Sequence, residues 1–378
     1  MEVANTQAIH ETISDLVNIR KINSMLGQAF TRPLSNGKIV FDEEKLLGQA
    51  QRFKAHVKNR MNVELSMDEA VMTIIVSQCF KNADVDSVLL PEGLSNKIIE
   101  EGRVFHLGEL EENPYLKNVH LGEHSLGRFT LTKGTYGKYQ LLQYNEPEIL
   151  TGGIGINRLA VIDHDFTYPC IRENDDTWMG VTPNEIFTMD RVVNEVKGNV
   201  LTLGLGLGYF AYMAAIKDDV SHVTVVEREP EVIELFNKYI LPEFGCADKI
   251  TVVQADAIEY MKELEDGVYD YCFADIWISN TDASSYIKLK KACRNFRKMQ
   301  MRYWIENSIL FSLVPYVVID MVEAGYKHLG QEAPDVQVAS EEEQFKQKTI
   351  KELLKDVNIE RPQQLMWYAD QRNLKNLI

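Results

Sequence analysis

The sequence predicts an α/β chain whose second half is an open parallel sheet flanked by helices. Three observations carry that prediction. Four apolar runs, NVLTL (199–203), HVTVVE (222–227), KITVVQ (249–254) and YDYCFAD (269–275), are separated by segments of helical patterning. Strands buried on both faces read as continuous apolar runs of this kind. The first run leads straight into a glycine turn, Gly204-Leu205-Gly206-Leu207-Gly208. The texture upstream differs, with helix first and then many short strands.

Taken in order, residues 1–100 read as a helical region. Ile9, Ile13, Leu16 and Val17 recur at helical steps, a second such pattern covers 43–57, and Ser66 with Glu69 forms a capping-box signature. Residues 101–177 read as a strand-rich segment, in which RFTLTKG, GKYQLLQY and NRLAVI alternate with Gly, Asn and Pro. GGIGIN (152–157) lacks a following amphipathic helix, so it reads as turn and strand and not as a phosphate loop. Residues 178–378 hold the sheet domain and a helical C-terminal extension. Thr182-Pro183-Asn184-Glu185 starts a helix with a Thr cap, Pro at the first position and Glu185 in the cap, and Lys197-Gly198 ends it. The helix after Pro230 presents Val232, Leu235, Phe236 and Tyr239 on one face. Beyond Trp277 the pattern predicts helix through the basic run 288–298, a strand at 302–306, and helix to the end.

Composition limits the function. The chain has 378 residues, 45% hydrophobic and 25% charged, which is globular and long enough for about two or three domains. Its formal net charge of −16 disfavours broad nucleic-acid binding, which rests on neutralising phosphates. The basic run has only Phe296 as an aromatic member and reads as an amphipathic surface helix. The five cysteines include no CxxC pair, so a disulfide framework has no support. His120 and His124 have HxxxH spacing without the HExxH glutamate, and no metal is expected there. The N-terminus lacks signal-peptide character, and the apolar stretch 309–321 is broken by Ser312, Pro315 and Asp320. A cytoplasmic protein without membrane partners is expected, and association into a homodimer is left open.

The glycine turn carries the chemistry. Glycine permits a tight turn and a close approach of backbone to ligand. A dinucleotide GxGxxG fingerprint would need glycine at 209, where Tyr209 stands, and no Lys follows for a GxxxxGK[ST] loop. The pattern present is GxGxG. Glu227 ends the second apolar run, where a carboxylate can accept from both ribose hydroxyls. Asp256 falls just past the third run, in reach of an adenine amine, and Asp275 ends the fourth. All three acids sit at carboxyl ends of predicted parallel strands, where open sheets bind ligands. A nucleoside-containing ligand is expected.

GLGLG, VVERE, QADA and YDYCFADIW together resemble the motif series of class I S-adenosylmethionine-dependent methyltransferases, most closely the spermidine-synthase-like branch. The resemblance covers about 180–280. It implies a Rossmann-like sheet and S-adenosyl-L-methionine as cosubstrate. It places Gly204, Gly206 and Gly208 around the methionine moiety, Glu227 on the ribose, Asp256 and Ala257 at the adenine, and Asp275 beside the reacting centre as the catalytic residue. Three departures stand out. Thr202 occupies the place of an acid common before the first glycine. Leu207 and Tyr209 replace the acid and last glycine of a GGGDGG turn, and Asp275-Ile-Trp-Ile-Ser replaces a run richer in acids. A cationic donor and a polyamine acceptor favour several acids, so these losses favour methyl transfer to a small-molecule acceptor over aminopropyl transfer. A non-catalytic nucleoside-binding protein is the third alternative. An Asn-Pro-Pro-Tyr run is absent, which disfavours nucleic-acid and protein amines. Trp178 and Met179 read equally as a lid over the ligand or as core, Trp277 reads more readily as a buried aromatic than as an acceptor-pocket wall, and His106, His164 and Cys272 read as structural.

Overall fold

The computed structural model describes residues 1–36, 38–174, 176–328 and 340–378. It opens with a short strand, β1 (Glu2–Val3), and a long helix, α1 (Gln7–Leu26), capped by Thr6 and burying Ile9, Ile13 and Leu16. α2 (Arg32–Asn36), α3 (Glu43–Met61), α4 (Met67–Asn82) and α5 (Leu94–Glu100) complete the helical region. The capping box of α4 is present in full. Ser66 Oγ accepts from the Glu69 N–H at 3.1 Å, and Glu69 Oε2 accepts from the Ser66 N–H at 2.6 Å.

Next come β2 (Arg103–Phe105), α6 (Pro114–Asn118), β3 (His124–Leu126), β4 (Phe129–Tyr136), β5 (Leu142–Ile149), β6 (Gly155–Ile162), β7 (Phe166–Glu173) and β8 (Asp176–Gly180). They form a sheet of order β2-β6-β5 and an antiparallel sheet of order β3-β4-β7-β8. Gly152 and Gly153 take positive φ in the turn that enters β6, so GGIGIN is turn and strand. β8 runs across the 177/178 boundary and presents Trp178 and Met179 to the next domain.

α7 (Pro183–Glu195) leads into the main sheet: β9 (Gly198–Leu203), α8 (Tyr209–Ala215), β10 (Val220–Glu227), α9 (Pro230–Leu235), β11 (Ile250–Gln254), α10 (Ala257–Glu263), β12 (Tyr271–Ala274), α11 (Ala283–Cys293) and β13 (Gln300–Tyr303). The order is β11-β10-β9-β12-β13, with every pairing parallel. The order reverses between β9 and β12, and the crevice above such a switch point is where open sheets bind ligands. Both faces are covered. Leu201, Leu203, Cys272 and Ala274 belong to one core cluster, shared with Ile9, Ile13 and Leu16 of α1, while Val200, Val223, Tyr271 and Phe273 belong to the other. That double burial makes the strand sequences continuously apolar.

The C-terminal third consists of α12 (Glu306–Phe311), α13 (Val314–His328), α14 (Glu341–Leu354), β14 (Asn358–Ile359), α15 (Pro362–Tyr368) and α16 (Gln371–Leu377). The strand expected at 302–306 is β13, two residues earlier. Among the described residues no antiparallel strand closes the main sheet, and β14 instead pairs in parallel with β1. Of the helix expected to run to the end, 329–339 lies outside the described residues. Glu306–Lys327 is long and apolar enough by composition to cross a membrane, yet two thirds of its most apolar window is buried inside the fold. In the basic run, Leu289 and Cys293 face the core, and Lys290 also turns inward. Its Nζ lies 3.2 Å from Glu306 Oε1, which also accepts from Tyr286 Oη at 2.8 Å, and Lys375 pairs with the other oxygen.

Glu306 and Lys290 are mostly buried, with side-chain exposures of 12% and 15%. Removing one member of such a pair strands the other charge, so Glu306→Ala should destabilise the fold by about 3–5 kcal/mol, measured by urea unfolding.

Candidate functional site

The glycines of the turn answer different demands. Gly204, Gly206 and Gly208 all have positive φ, +98°, +55° and +73°. A Cβ on Gly204 would stand 2.0 Å from the Asp275 carbonyl oxygen, and one on Gly208 would stand 2.5 Å from the Phe236 ring. Those two glycines let segments pack. Gly206 meets only Met179 Sδ, at 3.5 Å, and so leaves its backbone open to the cleft. Gly208 is expected at the ligand from the motif; here it lies against Phe236 and is not among the residues lining the cleft.

The acids are held by backbone donors. Glu227 Oε1 accepts from the N–H groups of Arg228 and Glu229 at 2.7 and 2.9 Å, and Oε2 accepts from Leu205 N–H at 3.1 Å. This fixes the carboxylate beside the glycine turn. Asp256 caps α10, its Oδ1 accepting from Ile258 and Glu259 N–H at 2.9 and 3.0 Å, while Oδ2 takes part in neither bond. Asp275 follows β12 directly, and its N–H donates to the Leu203 carbonyl at 2.8 Å.

These residues share a cleft of about 1160 Å³ at the carboxyl edge of the sheet, lined by Gly204, Gly206, Glu227, Asp256, Ala257 and Asp275. Trp178, Trp277 and Trp304 supply aromatic walls. Trp178 also stacks on Phe129 with ring centroids 4.6 Å apart, so it is both core and wall. Trp277 is buried against Tyr286 and Tyr303. A recess of about 430 Å³ shares Met179, Glu185, Gly204, Leu205, Gly206 and Asp275 with the cleft and continues to Thr202.

Glu185 is the residue sequence reasoning assigned elsewhere. Thr182 does cap α7, accepting from Glu185 N–H at 3.4 Å, but the Thr182 N–H donates to the Gly180 carbonyl at 2.8 Å. The Glu185 carboxylate instead lines the cleft and the recess, and among the described residues no cationic side chain pairs with it. Burial, and then the charge of Asp275, hold its carboxyl well above the usual range, partly offset by the N–H groups of Thr182 and Gly180. Asp275 is pushed from its ordinary 3.8 to about 7, by burial first and then by Glu227. A charge on Asp275 opposes ionisation of Glu185. The signal available in sequence was an acid one turn into a helix that directly precedes the first strand.

The remaining candidates are structural. His106 is held between Asp163 (2.7 Å) and Asp68 (3.0 Å), and His164 between Asp163 (2.8 Å) and Glu111 (2.7 Å). His124 stacks on Tyr239 with centroids 3.7 Å apart, and no metal-binding cluster occurs among the described residues. Cys272 is buried within β12.

The strand order, the glycine turn and the acids at the strand ends define a Rossmann-like fold of the class I S-adenosylmethionine-dependent methyltransferase type. No family model matches the chain, and no curated protein sequence matches it. Solved structures similar to it include a Klebsiella pneumoniae protein named as an O-methyltransferase, 17% identical, with 44% of this chain and 64% of that one covered at a TM-score of 0.25. Another is a Staphylococcus aureus protein named as a caffeoyl-CoA O-methyltransferase, 22% identical, covering 44% and 69% at a TM-score of 0.26. A third is spermidine synthase from Thermotoga maritima, 13% identical, covering 51% and 60% at a TM-score of 0.30. The match thus spans just under two thirds of the first of these proteins, and none of the three informs the chemistry of this chain.

Two predictions follow from this geometry. Gly204→Ala forces a positive φ on a residue with a Cβ, costing about 1–2 kcal/mol, and adds the clash with the Asp275 carbonyl. Chemical denaturation should report a loss larger than that torsional cost alone. For Asp275 the folded state retains its proton up to about pH 7 whereas the unfolded chain releases it near 3.8. The native state thus binds more protons in that window, and stability falls as pH rises through it. Asp275→Asn should remove this part of the decline, worth up to roughly 4 kcal/mol, when unfolding is measured from pH 4 to 8.

Proposed function

We propose that the protein is an S-adenosylmethionine-dependent methyltransferase acting on a small-molecule acceptor. The observation that carries this reading is the convergence of the open Gly206 backbone, the fixed Glu227 carboxylate and Asp275 on one cleft at the sheet's switch point. The residues fit an adenosyl ligand. Asp256 and Ala257 border the adenine end, Glu227 keeps capacity on Oε2 for a ribose hydroxyl beside its bond from Leu205 N–H, and Gly206 leaves room for what extends beyond the ribose. Bound there, S-adenosylmethionine supplies a methyl group activated by a sulfonium.

What the chain must add is position, dryness and a proton acceptor. Trp178, Trp277 and Trp304 wall the cleft and exclude water from the acceptor. Asp275, raised to about 7, is suited to take a proton from a hydroxyl or ammonium acceptor near neutral pH. Holding the acceptor in line with the breaking bond accounts for most of the remaining catalysis.

A second reading, aminopropyl transfer from decarboxylated S-adenosylmethionine, gains from Glu185, an acid that the motif series does not include. Calorimetry with S-adenosylmethionine, its decarboxylated form, S-adenosylhomocysteine and NAD discriminates between them. Methyl transfer predicts tight binding of the first and third, aminopropyl transfer predicts preference for the second, and NAD binding alone overturns both. Gly206→Trp should abolish binding of the adenosyl ligands by filling the open approach while leaving the unfolding midpoint within a few degrees of wild type. Undiminished binding in that variant would mean that the cleft is not the adenosyl site.

A further inference from the structure

The recess beyond the ribose position is anionic, and this restricts what the cleft can take. We propose that Glu185 reads the cationic 5′ substituent of the adenosyl ligand and sets the preference for it over neutral and anionic nucleosides. The proposal rests on the adenosyl reading above and specifies which part of the ligand decides affinity.

The argument starts from direction. An extended ligand with its base at Asp256 and its ribose at Glu227 continues past Gly204 and Gly206 into the recess. The polar side chains there are Glu185, Asp275, Thr202 and Tyr209, whose hydroxyl accepts from Asn113 Nδ2 at 3.0 Å. Thr202 is buried in β9 and points its hydroxyl toward the Gly204 carbonyl at 3.5 Å. Leu207 is also buried and gives no charge, and its carbonyl is taken by Tyr115 Oη at 2.7 Å. The two turn positions that could have supplied an acid are thus apolar or neutral. The carboxylate comes from α7.

No neighbour neutralises it. The other charged groups lining the cleft are Asp275 just past β12, Glu227 at the end of β10 and Asp256 before α10, all acids, and Arg228 at the outer rim, 72% exposed and 3.7 Å from Glu229. The phenols that feel Glu185, on Tyr115, Tyr136, Tyr168 and Tyr209, stay protonated because burial raises them. A phosphate beyond the ribose would meet two carboxylates at close range, so nucleotides and dinucleotides are disfavoured. A cation there relieves the desolvation cost of Glu185 and of Asp275 together. Since burial and the charge of Asp275 raise the Glu185 carboxyl, a cation that favours its ionised form draws a proton off it.

The test compares S-adenosylmethionine, 5′-methylthioadenosine and adenosine 5′-monophosphate on wild type and Glu185→Gln by calorimetry. The neutral thioether checks the adenosyl reading by itself: if wild type does not bind it or S-adenosylmethionine, that reading fails. If the proposal holds, adenosine 5′-monophosphate binds wild type more weakly than the thioether. Glu185→Gln then weakens S-adenosylmethionine about 10- to 100-fold, the span of a charge-assisted hydrogen bond, and leaves 5′-methylthioadenosine within about twofold. Equal losses for both ligands, or no loss for S-adenosylmethionine, overturn the role of Glu185 while leaving the adenosyl site standing. Should Glu185→Gln fail to fold, proton release decides. In Asp275→Asn near pH 7, S-adenosylmethionine should release more protons than 5′-methylthioadenosine, and equal release overturns the proposal.

Discussion

At Gly204 the backbone leaving β9 passes so close to the Asp275 carbonyl that a methyl group would stand 2.0 Å from its oxygen. The site depends on this contact. β9 and β12 are neighbours at the point where the strand order reverses, and without a side chain at 204 the two strand ends close to near van der Waals limits. The Asp275 N–H then reaches the Leu203 carbonyl, and the glycine turn is free to place Leu205 N–H on Glu227. One missing Cβ thus joins three strand ends into one rim.

Burial on both sides of the sheet determines what that rim can be. Helices and the upstream strands cover both faces, so the backbone is open to ligand only along its carboxyl edge. Acids placed there lose water and lie near one another, and among the described residues the one cation lining the cleft is Arg228 at its outer rim. Asp275 is raised to about 7 and Glu185 well above its ordinary range, a pattern that costs stability. Unpaired buried acids gathered at a cleft are a mark of function more than of packing. Lys290 and Glu306 provide the contrast within the same molecule: also largely removed from solvent, they pair with each other, with Tyr286 and with Lys375, and serve the fold.

The parallel sheet was legible in the sequence because each strand is apolar on both faces and each helix between them is amphipathic. The rim acids Glu227, Asp256 and Asp275 were legible for the same reason, as charges stand out when they end an apolar run. Gly208 was misread because the motif's spacing treats its glycines alike, whereas the demand for glycine there comes from Phe236, a residue on a later segment. Thr-Pro-Asn-Glu satisfies a local capping rule, and that rule accounts for the cap but not for the place of the Glu185 carboxylate in the cleft. Local rules describe which partner is near in the chain, and the cleft offered Glu185 a different place through tertiary packing. The missing antiparallel end of the sheet had no positive signature either, since the helices that stand there pack through α1 and the β1–β14 pair, contacts of very long sequence separation.

That Glu185 arrives from α7 also changes what the upstream strands contribute. β8 carries Trp178 and Met179 to the cleft and hands the chain through Thr182 to α7, so a single continuous stretch supplies an aromatic wall, a thioether over Gly206 and the buried acid. Phe129 of β4 holds Trp178 by stacking, and Tyr115 of α6 grips the Leu207 carbonyl within the glycine turn itself. The strand-rich segment is therefore coupled to the turn from two directions. A sheet edge built only from β9 to β13 would present its rim acids with one wall missing and the recess without Glu185. Under the adenosyl reading proposed above, the parallel sheet meets the part of the ligand common to all adenosyl compounds, and what precedes it meets the part that distinguishes them.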